Sequence, residues 1–380
     1  MNALRKQLYF LWKKAAERNA RKKLAAGYFK NDLARFRQCT NTKPATQQRR
    51  ELQALQVYWH CYPFQYFRFD FYRADCLLSL DQMKQYVPLF FLDSLFYPVN
   101  QAGYGVLTWD KLLNHVLLKA YDVAQPRMLF CFDNQKFFDA ANSPLSGVAV
   151  DTLLQDCTAK KLFVKPRLGS GGKGIVIFKK EGNTYLNEQH GILNHSFFLS
   201  ALKDGLYIVQ EGLVQHEAAA AIYPHSINTF RVITECTNGE ATVLYALLRI
   251  GQGGNQVDNA SAGGMYVKVN PQTGALSDYA YAYNRKTYDT HPDTHFVFKG
   301  ATIEKWHELK TFAESVAGKF REIKYLGWDI ALAEDGPSVI EINNSPDMGM
   351  IQDFYGGIRD DLHINPKDWW FRAGFTIKNQ

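Results

Sequence analysis

The chain has 380 residues, 46% of them hydrophobic and 14% aromatic, so it is long and apolar enough for two or three domains with sizeable cores, which excludes a disordered protein. Its six cysteines form no CxxC pair and have no zinc-ligand spacing, which excludes a zinc module and favours reduced thiols. The formal net charge of +7 comes from residues 1–30, which hold nine Lys or Arg and one acid. The rest of the chain is close to neutral, which excludes a basic nucleic-acid-binding surface there.

Residues 1–30 are predicted to form a basic amphipathic helix, because Leu4, Leu8 and Leu11 recur at helical spacing beside the lysines. Such a helix can lie on anionic lipid, or it can pack by its apolar stripe on its own protein, which we favour. No apolar run is long enough to cross a bilayer, and no signal peptide is recognisable. We therefore predict a cytoplasmic protein, with peripheral membrane contact through residues 1–30 as the alternative. The sequence makes no prediction of oligomeric state.

Two segments follow this arm. Residues 40–50 are polar, contain Pro44 and are predicted to be a linker. Residues 58–73 are rich in aromatic side chains that could stack on sugars or bases. The segment is too apolar to remain in water, so we predict that its rings belong to a core.

The first glycine loop (residues 169–174) lies between a predicted strand at 162–164, followed by Lys165, and a second predicted strand at 175–178. Four of its six residues are glycine, which allows backbone N–H groups to approach an anion. It is not a P-loop, because Gly rather than Ser or Thr follows Lys173. The pattern indicates either a polyphosphate cover or a plain flexible hairpin.

The second glycine loop (residues 251–264) lies between strand-like segments at 243–248 and 265–269. Its Gly and Asn content suits a mobile lid that keeps water from a reactive intermediate. The alternative is a long hairpin loop without a role in chemistry.

A predicted hairpin near residue 335 carries two acids. Strands at 325–332 and 338–343 are joined by a short turn, which places Asp329 beside Glu341, and the period of two puts Glu341 and Asn343 on one face. Two carboxylates and an amide oxygen suit Mg²⁺. Solvated acids at a sheet edge are the alternative, although the apolar neighbours argue against it.

These segments, in this order, resemble the ATP-grasp superfamily, and within it the branch of sugar-transfer-associated ATP-grasp proteins. The resemblance covers residues 105–355. Further shared stretches are Asp110-Lys111, Gln210-Glu211, Gln215-His216, residues 228–232, residues 257–259 with Gly263-Gly264, and Ser345-Pro346.

The resemblance implies a fold and a set of site residues. The fold is α/β (α+β), with two mixed lobes, each built on an antiparallel sheet, that bind ATP between them behind an N-terminal helical and aromatic segment. Arg231 is implied to meet the transferred phosphate, and Lys165 the α- and β-phosphates. The implied ATP-binding residues are Lys111, Lys165, Gly169, Ser170, Gly171, Gly172, Lys173, Gln210, Glu211, Leu213, Glu217 and Asn259. The implied Mg²⁺ ligands are Asp329, Glu341 and Asn343.

The predicted division of the chain follows from the same resemblance: residues 1–50 as arm and linker, 51–150 as a region before the ATP site, 151–215 as the small lobe, and 216–380 as the large lobe. Asp347-Met348-Gly349 departs from the Gly-Met-Thr that follows Ser-Pro in D-alanine–D-alanine ligases, so the acceptor pocket is not predicted.

The activity implied is that of a ligase, in which ATP activates a carboxylate as an acylphosphate that an amine then captures. The implied substrates are small carboxylates and amines: an amino acid, a peptide or an amino sugar. A kinase and a nucleotide-binding scaffold in glycan assembly are the alternatives. No Ser–His–Asp or Cys–His arrangement is required, and none is suggested by the sequence.

Overall fold

A computed structural model of the chain describes residues 29–88, 100, 104–169, 172–260 and 263–366, and positions 7, 11 and 15. The chain forms two compact units. The first contains Met1–Ala102 and Asp347–Gln380, and the second contains Gly103–Pro346. The predicted basic arm therefore falls almost entirely outside the described residues.

The helices, in chain order, are α1 (Lys30–Gln38), α2 (Ala45–Trp59), α3 (Gln65–Arg68), α4 (Leu80–Met83), α5 (Gly105–Trp109), α6 (Lys111–Ala120), α7 (Gly147–Asp156), α8 (His195–Phe197), α9 (Glu217–Ala220), α10 (Trp306–Gly318) and α11 (Gly349–Tyr355). The strands are β1 (Met128–Asp133), β2 (Lys136–Asp139), β3 (Pro144–Leu145), β4 (Lys161–Pro166), β5 (Val176–Glu181), β6 (Thr184–Leu186), β7 (Leu206–Glu211), β8 (Thr229–Thr237), β9 (Glu240–Ile250), β10 (Met265–Val269), β11 (Ala280–Ala282), β12 (Thr287–Tyr288), β13 (Tyr325–Ala333) and β14 (Gly336–Asn343).

The strands of the second unit form two antiparallel sheets. Within the described residues, the first sheet has the order β3-β2-β1-β7-β4-β5-β6 and the second has the order β12-β11-β10-β9-β8-β13-β14. The prediction of a mixed α/β fold with two antiparallel sheets is confirmed. Both predicted hairpins are present: β4 pairs with β5 around the first glycine loop, and β13 pairs with β14.

The predicted boundary at residue 150 does not follow the sheets. Strands β1 to β3 precede it in the chain, but they belong to the same sheet as β4 to β7. Helix α7 also runs across the boundary. The reason is that β7 inserts between β1 and β4, a pairing of distant segments that no local pattern in the sequence indicates.

One face of the second sheet makes the larger hydrophobic core of that unit, and the first sheet has a separate core around Phe130, Leu162 and Val209. Every second residue of its central strands points to this face and packs with Trp306 of α10; examples are Phe230, Leu248, Met265 and Ile330. Because successive side chains point to opposite faces, the residues between them lie on the other face. That other face carries the charged residues described below.

In the first unit the aromatic segment is a core, as predicted: Trp59, Tyr66 and Phe71 are fully buried. The linker prediction for residues 40–50 is wrong for its second half, because α2 begins at Ala45, directly after Pro44. Proline is tolerated there because the first turn of a helix does not need its N–H. None of the helices in the described ranges is long and apolar enough to cross a membrane.

Candidate functional site

A cleft in the second unit brings together several residues from both sheets. It is lined by Lys111, Lys165, Pro166, Gly169, Gly172, Lys173, Ile175, Ile340 and Glu341. The first glycine loop forms one wall, and Gly169 and Gly172 adopt φ angles of 137° and 73°, which residues with a Cβ rarely adopt. Ser170 and Gly171, also predicted in this loop, lie outside the described residues.

The position of Lys111 is set by an ion pair that sequence reasoning missed. Asp110 is the N-cap of α6, where its carboxylate accepts two backbone N–H groups of the first turn. The Arg167 guanidinium contacts the same carboxylate at 2.5 Å, and the Lys111 N–H donates to the Arg167 carbonyl at 3.1 Å. The Lys111 ammonium then donates to the Gly169 carbonyl at 2.8 Å. Helix α6 and the first glycine loop are thus fastened to each other.

Lys165 lies in β4 beside the loop, and its ammonium donates to the Gln210 side-chain oxygen at 2.9 Å. Burial lowers the pKa of Lys165 to about 8; the Glu341 carboxylate opposes this shift, and the Lys111 ammonium adds to it. The predicted residues Lys111, Lys165, Gln210 and Glu341 therefore form a connected group.

A row of charged side chains crosses the second sheet. Strand register pairs Asp329 with Glu341 on one side and with Arg231 on the other, so all three project from the same face. The Arg231 Nε is 2.5 Å from Asp329 Oδ1, and its Nη2 is 3.1 Å from Asp329 Oδ2. Arg231 and Asp329 thus form a bidentate pair with a side-chain exposure of only 10% and 2%, which removes both groups from bulk water.

Arg249 of β9 also belongs to this row, and sequence reasoning missed it. Its Nη2 lies 3.2 Å from Asp329 and 3.4 Å from Asp258, and its Nε donates to the Thr229 hydroxyl at 3.0 Å. Burial raises the pKa of Asp329, but Arg231 and Arg249 outweigh it and hold that pKa below the ordinary value. A lone arginine in the apolar second half of its strand, residues 243–250, was the available signal.

The three predicted metal ligands differ in whether other protein groups already bind them. Burial and the Asp329 charge raise the pKa of Glu341, so its negative charge is under-compensated by the protein. The Asn343 amide nitrogen is buried without a hydrogen-bond partner, and amide nitrogen and oxygen can exchange places, so an oxygen there could face a cation. These two residues fit a hard cation. Both oxygens of Asp329, by contrast, already accept from guanidinium groups. The described part of the chain has no cluster of three His, Cys, Asp or Glu side chains that could hold a metal.

Three of the predicted ATP-binding residues, Gln210, Glu211 and Leu213, lie at or just after the end of β7. The Glu211 N–H donates to the Arg127 carbonyl at 2.9 Å, and the Glu211 carboxylate pairs with the Arg127 guanidinium at 3.1 Å. Hence the Glu211 N–H already has a partner within the protein. Glu217 is exposed at the start of α9.

The two glycine loops approach one another. A Cβ added to Gly172 would lie 4.0 Å from the Asn259 side-chain nitrogen, so Asn259 of the second loop faces the first loop. Asn259 is therefore placed near the cleft, as its predicted role requires.

A further polar arrangement, which the sequence did not indicate, occurs at His195. Its Nδ1 is 2.6 Å from the Asp151 carboxylate and its Nε2 is 3.3 Å from the Ser196 hydroxyl. Ser196 directly follows His195 in α8, and Asp151 of α7 also accepts the His195 backbone N–H at 2.8 Å. These contacts join α7 to α8, and we assign them a structural role.

Comparison with known proteins identifies the family. No curated protein sequence matches the chain. Among solved structures, it is similar to D-alanyl-alanine synthetase A of Vibrio cholerae (13% identity over 71% of this chain and 65% of that chain, TM-score 0.41). It is also similar to N5-carboxyaminoimidazole synthetase of Staphylococcus aureus in complex with ADP (10% identity over 64% of this chain and 45% of that chain, TM-score 0.35). The chain spans less than two thirds of the length of each. The sequence profile described as sugar-transfer associated ATP-grasp matches residues 92–358, which is more than half of the chain. The protein therefore belongs to the sugar-transfer associated ATP-grasp family.

Proposed function

We propose that this protein is an ATP-dependent ligase that activates a carboxylate as an acylphosphate and couples it to an amine, releasing ADP and phosphate. The observation that carries the proposal is the convergence of Lys111, Lys165 and Glu341 on one cleft beside the buried Arg231–Asp329 pair. Transfer of a phosphoryl group needs positioning and charge neutralisation rather than covalent help from the protein, and these residues supply both.

Each group has a role in this proposal. The first glycine loop and Lys165 bind the triphosphate, and Lys111 holds the loop and α6 together at the same place. Arg231, kept in position by Asp329, faces the transferred phosphate, and we add Arg249 as its partner. The preorganised guanidinium groups stabilise charge that develops during transfer.

Glu341 and Asn343 are the residues that would hold Mg²⁺, and Asp329 is the third predicted ligand. When bound, Mg²⁺ would neutralise phosphate charge. The raised pKa of Glu341 supports this role, because a nearby cation would relieve the cost of its partly buried charge.

ATP affinity should decrease as pH rises through about 8. Lys165, whose pKa is lowered to about 8, is protonated below that value and loses its charge above it. For one linked proton, the Kd for ATP should rise by up to about tenfold per pH unit above pH 8. Isothermal titration of ATP between pH 7 and 9.5 measures this. Lys165→Met should bind ATP weakly with a flat profile, whereas Lys299→Met, which changes an exposed lysine, should retain the wild-type profile. A wild-type Kd that does not vary with pH would contradict the assignment.

The reaction class is tested with Mg²⁺-ATP, pooled amino acids, peptides and amino sugars, and hydroxylamine as a trap. ADP together with a hydroxamate establishes an acylphosphate, and the trapped acid identifies the donor. ADP with a stable phosphoester and no hydroxamate would instead establish a kinase. Tight ATP binding without turnover in any pool would replace the ligase with a nucleotide-binding scaffold.

A further inference from the structure

The base of the second glycine loop is held by a turn at residues 291–294, which no role assigned above includes. His291 is fully buried, and its Nε2 lies 2.8 Å from the Gly251 carbonyl. Its Nδ1 accepts the backbone N–H groups of Asp293 at 3.2 Å and Thr294 at 3.3 Å. Because Nδ1 accepts, Nε2 carries the proton and donates to Gly251. The ring therefore joins the turn to the first residue of the loop.

Further contacts hold the same region. The Asp293 carboxylate accepts the Gly253 N–H at 2.6 Å. The Tyr223 hydroxyl donates to the Asn255 carbonyl at 3.1 Å. A Cβ on Gly251 would lie 2.6 Å from Tyr223, so the loop base packs tightly at this point. Residues 251–255 are thus fixed to a neighbouring part of the unit by three side chains.

The far part of the loop contacts the charged row. The Asp258 carboxylate accepts the Thr229 N–H at 3.0 Å, accepts the Thr229 hydroxyl, and lies 3.4 Å from Arg249. Arg249 in turn contacts Asp329 at 3.2 Å. A Cβ on Gly264 would lie 2.5 Å from the Asp258 carbonyl, so the returning end of the loop closes against the same residue. The loop therefore connects the 291–294 turn to the guanidinium groups of the candidate site.

We propose that His291 and Asp293 are positioning residues that fix the second glycine loop against the catalytic face and, through Asp258, orient Arg249 beside Asp329. The kinetic part of this inference rests on the proposed ligase function. A loop fixed in this way keeps water from an acylphosphate while the amine attacks. Release of the loop base should let water compete, so that ATP is hydrolysed without formation of the coupled product.

The test uses Asp293→Ala in the full-length protein, because Asp293 is exposed and its loss should not prevent folding. Asp278→Ala is the matched control, since it removes an exposed ion pair with Lys299 from the same unit. Hydrogen exchange of residues 251–260 should become about tenfold faster in Asp293→Ala and stay at the wild-type rate in the control.

His291→Phe provides a second variant, since a phenyl ring can keep the packing against Tyr223 while losing the donor to Gly251. Both variants should release more ADP per coupled product than wild type, a ratio that a loss of folded protein would not change. The proposal would be overturned if the hydrogen-exchange rates of residues 251–260 and the amount of ADP released per coupled product equalled those of the control. If the wild type forms no product in any pool, the ligase function fails, and the exchange measurement alone still decides whether the turn fixes the loop.

Discussion

Glu341→Gln is expected to reduce the rate of ADP release by about 10²- to 10³-fold while leaving the protein at least as stable as the wild type. Glutamine keeps the shape of the side chain but loses the charge that would hold a cation. Burial and the Asp329 charge raise the pKa of Glu341 in the folded protein. Neutral pH lies above the pKa that this carboxyl group has in the unfolded chain, so the ionised form of Glu341 lowers the free energy of unfolding there. Removing that charge relieves the cost.

Three measurements check this expectation: ADP release in a coupled assay, thermal unfolding by calorimetry, and titration of Mn²⁺ with nucleotide followed by electron paramagnetic resonance. Glu334→Gln is the control, because Glu334 is exposed in the turn between β13 and β14. The control should match the wild type in all three. Normal turnover or normal Mn²⁺ affinity in Glu341→Gln would remove Glu341 from the metal site.

Arg231→Met should destabilise the second unit by about 3 kcal/mol and reduce turnover by at least about 10²-fold. The stability loss arises because Asp329, with a side-chain exposure of 2%, loses its bidentate partner. The figure is at the lower end of the usual range because Arg249 still contacts Asp329 at 3.2 Å.

The double variant Arg231→Met with Asp329→Asn separates the two effects. It removes both charges of the pair, so most of the lost stability should return, while turnover should not. Urea unfolding and ADP release measure the two quantities. Arg321→Met, which changes an exposed arginine paired with Glu322, should cost less than about 1 kcal/mol. If the double variant is no more stable than Arg231→Met, the Asp329 charge is not the source of the loss.

Local patterns in the sequence were sufficient for the two hairpins of the site. The strand at 162–164 with Lys165 at its end became β4, and the acids at 329 and 341 are direct register partners. Both depend on alternation over a few residues and on short turns, which are properties of neighbouring positions.

The arginine partners of the site could not be predicted in the same way. Arg249 contacts Asp329 because β9 and β13 lie on either side of β8, so that the arginine side chain can extend across one strand. That strand order is a property of the whole sheet. Arg167 reaches Asp110 across a separation of 57 residues. His291 gave no signal of its link to Gly251 for the same reason, since the two are 40 residues apart. Long-range pairing, rather than local propensity, decides these contacts.

The first unit is built from two stretches that are far apart in the chain. The Gln352 side chain binds the backbone of Val87 at 2.7 and 3.1 Å, and Arg68 pairs with Asp353 at 2.5 Å. A ribosome therefore finishes the whole of Gly103–Pro346 before it makes the residues that complete the earlier unit. A chain that ended at Pro346 would contain every residue of the candidate cleft but would lack the partners of Val87 and Arg68, so its aromatic core would be incomplete.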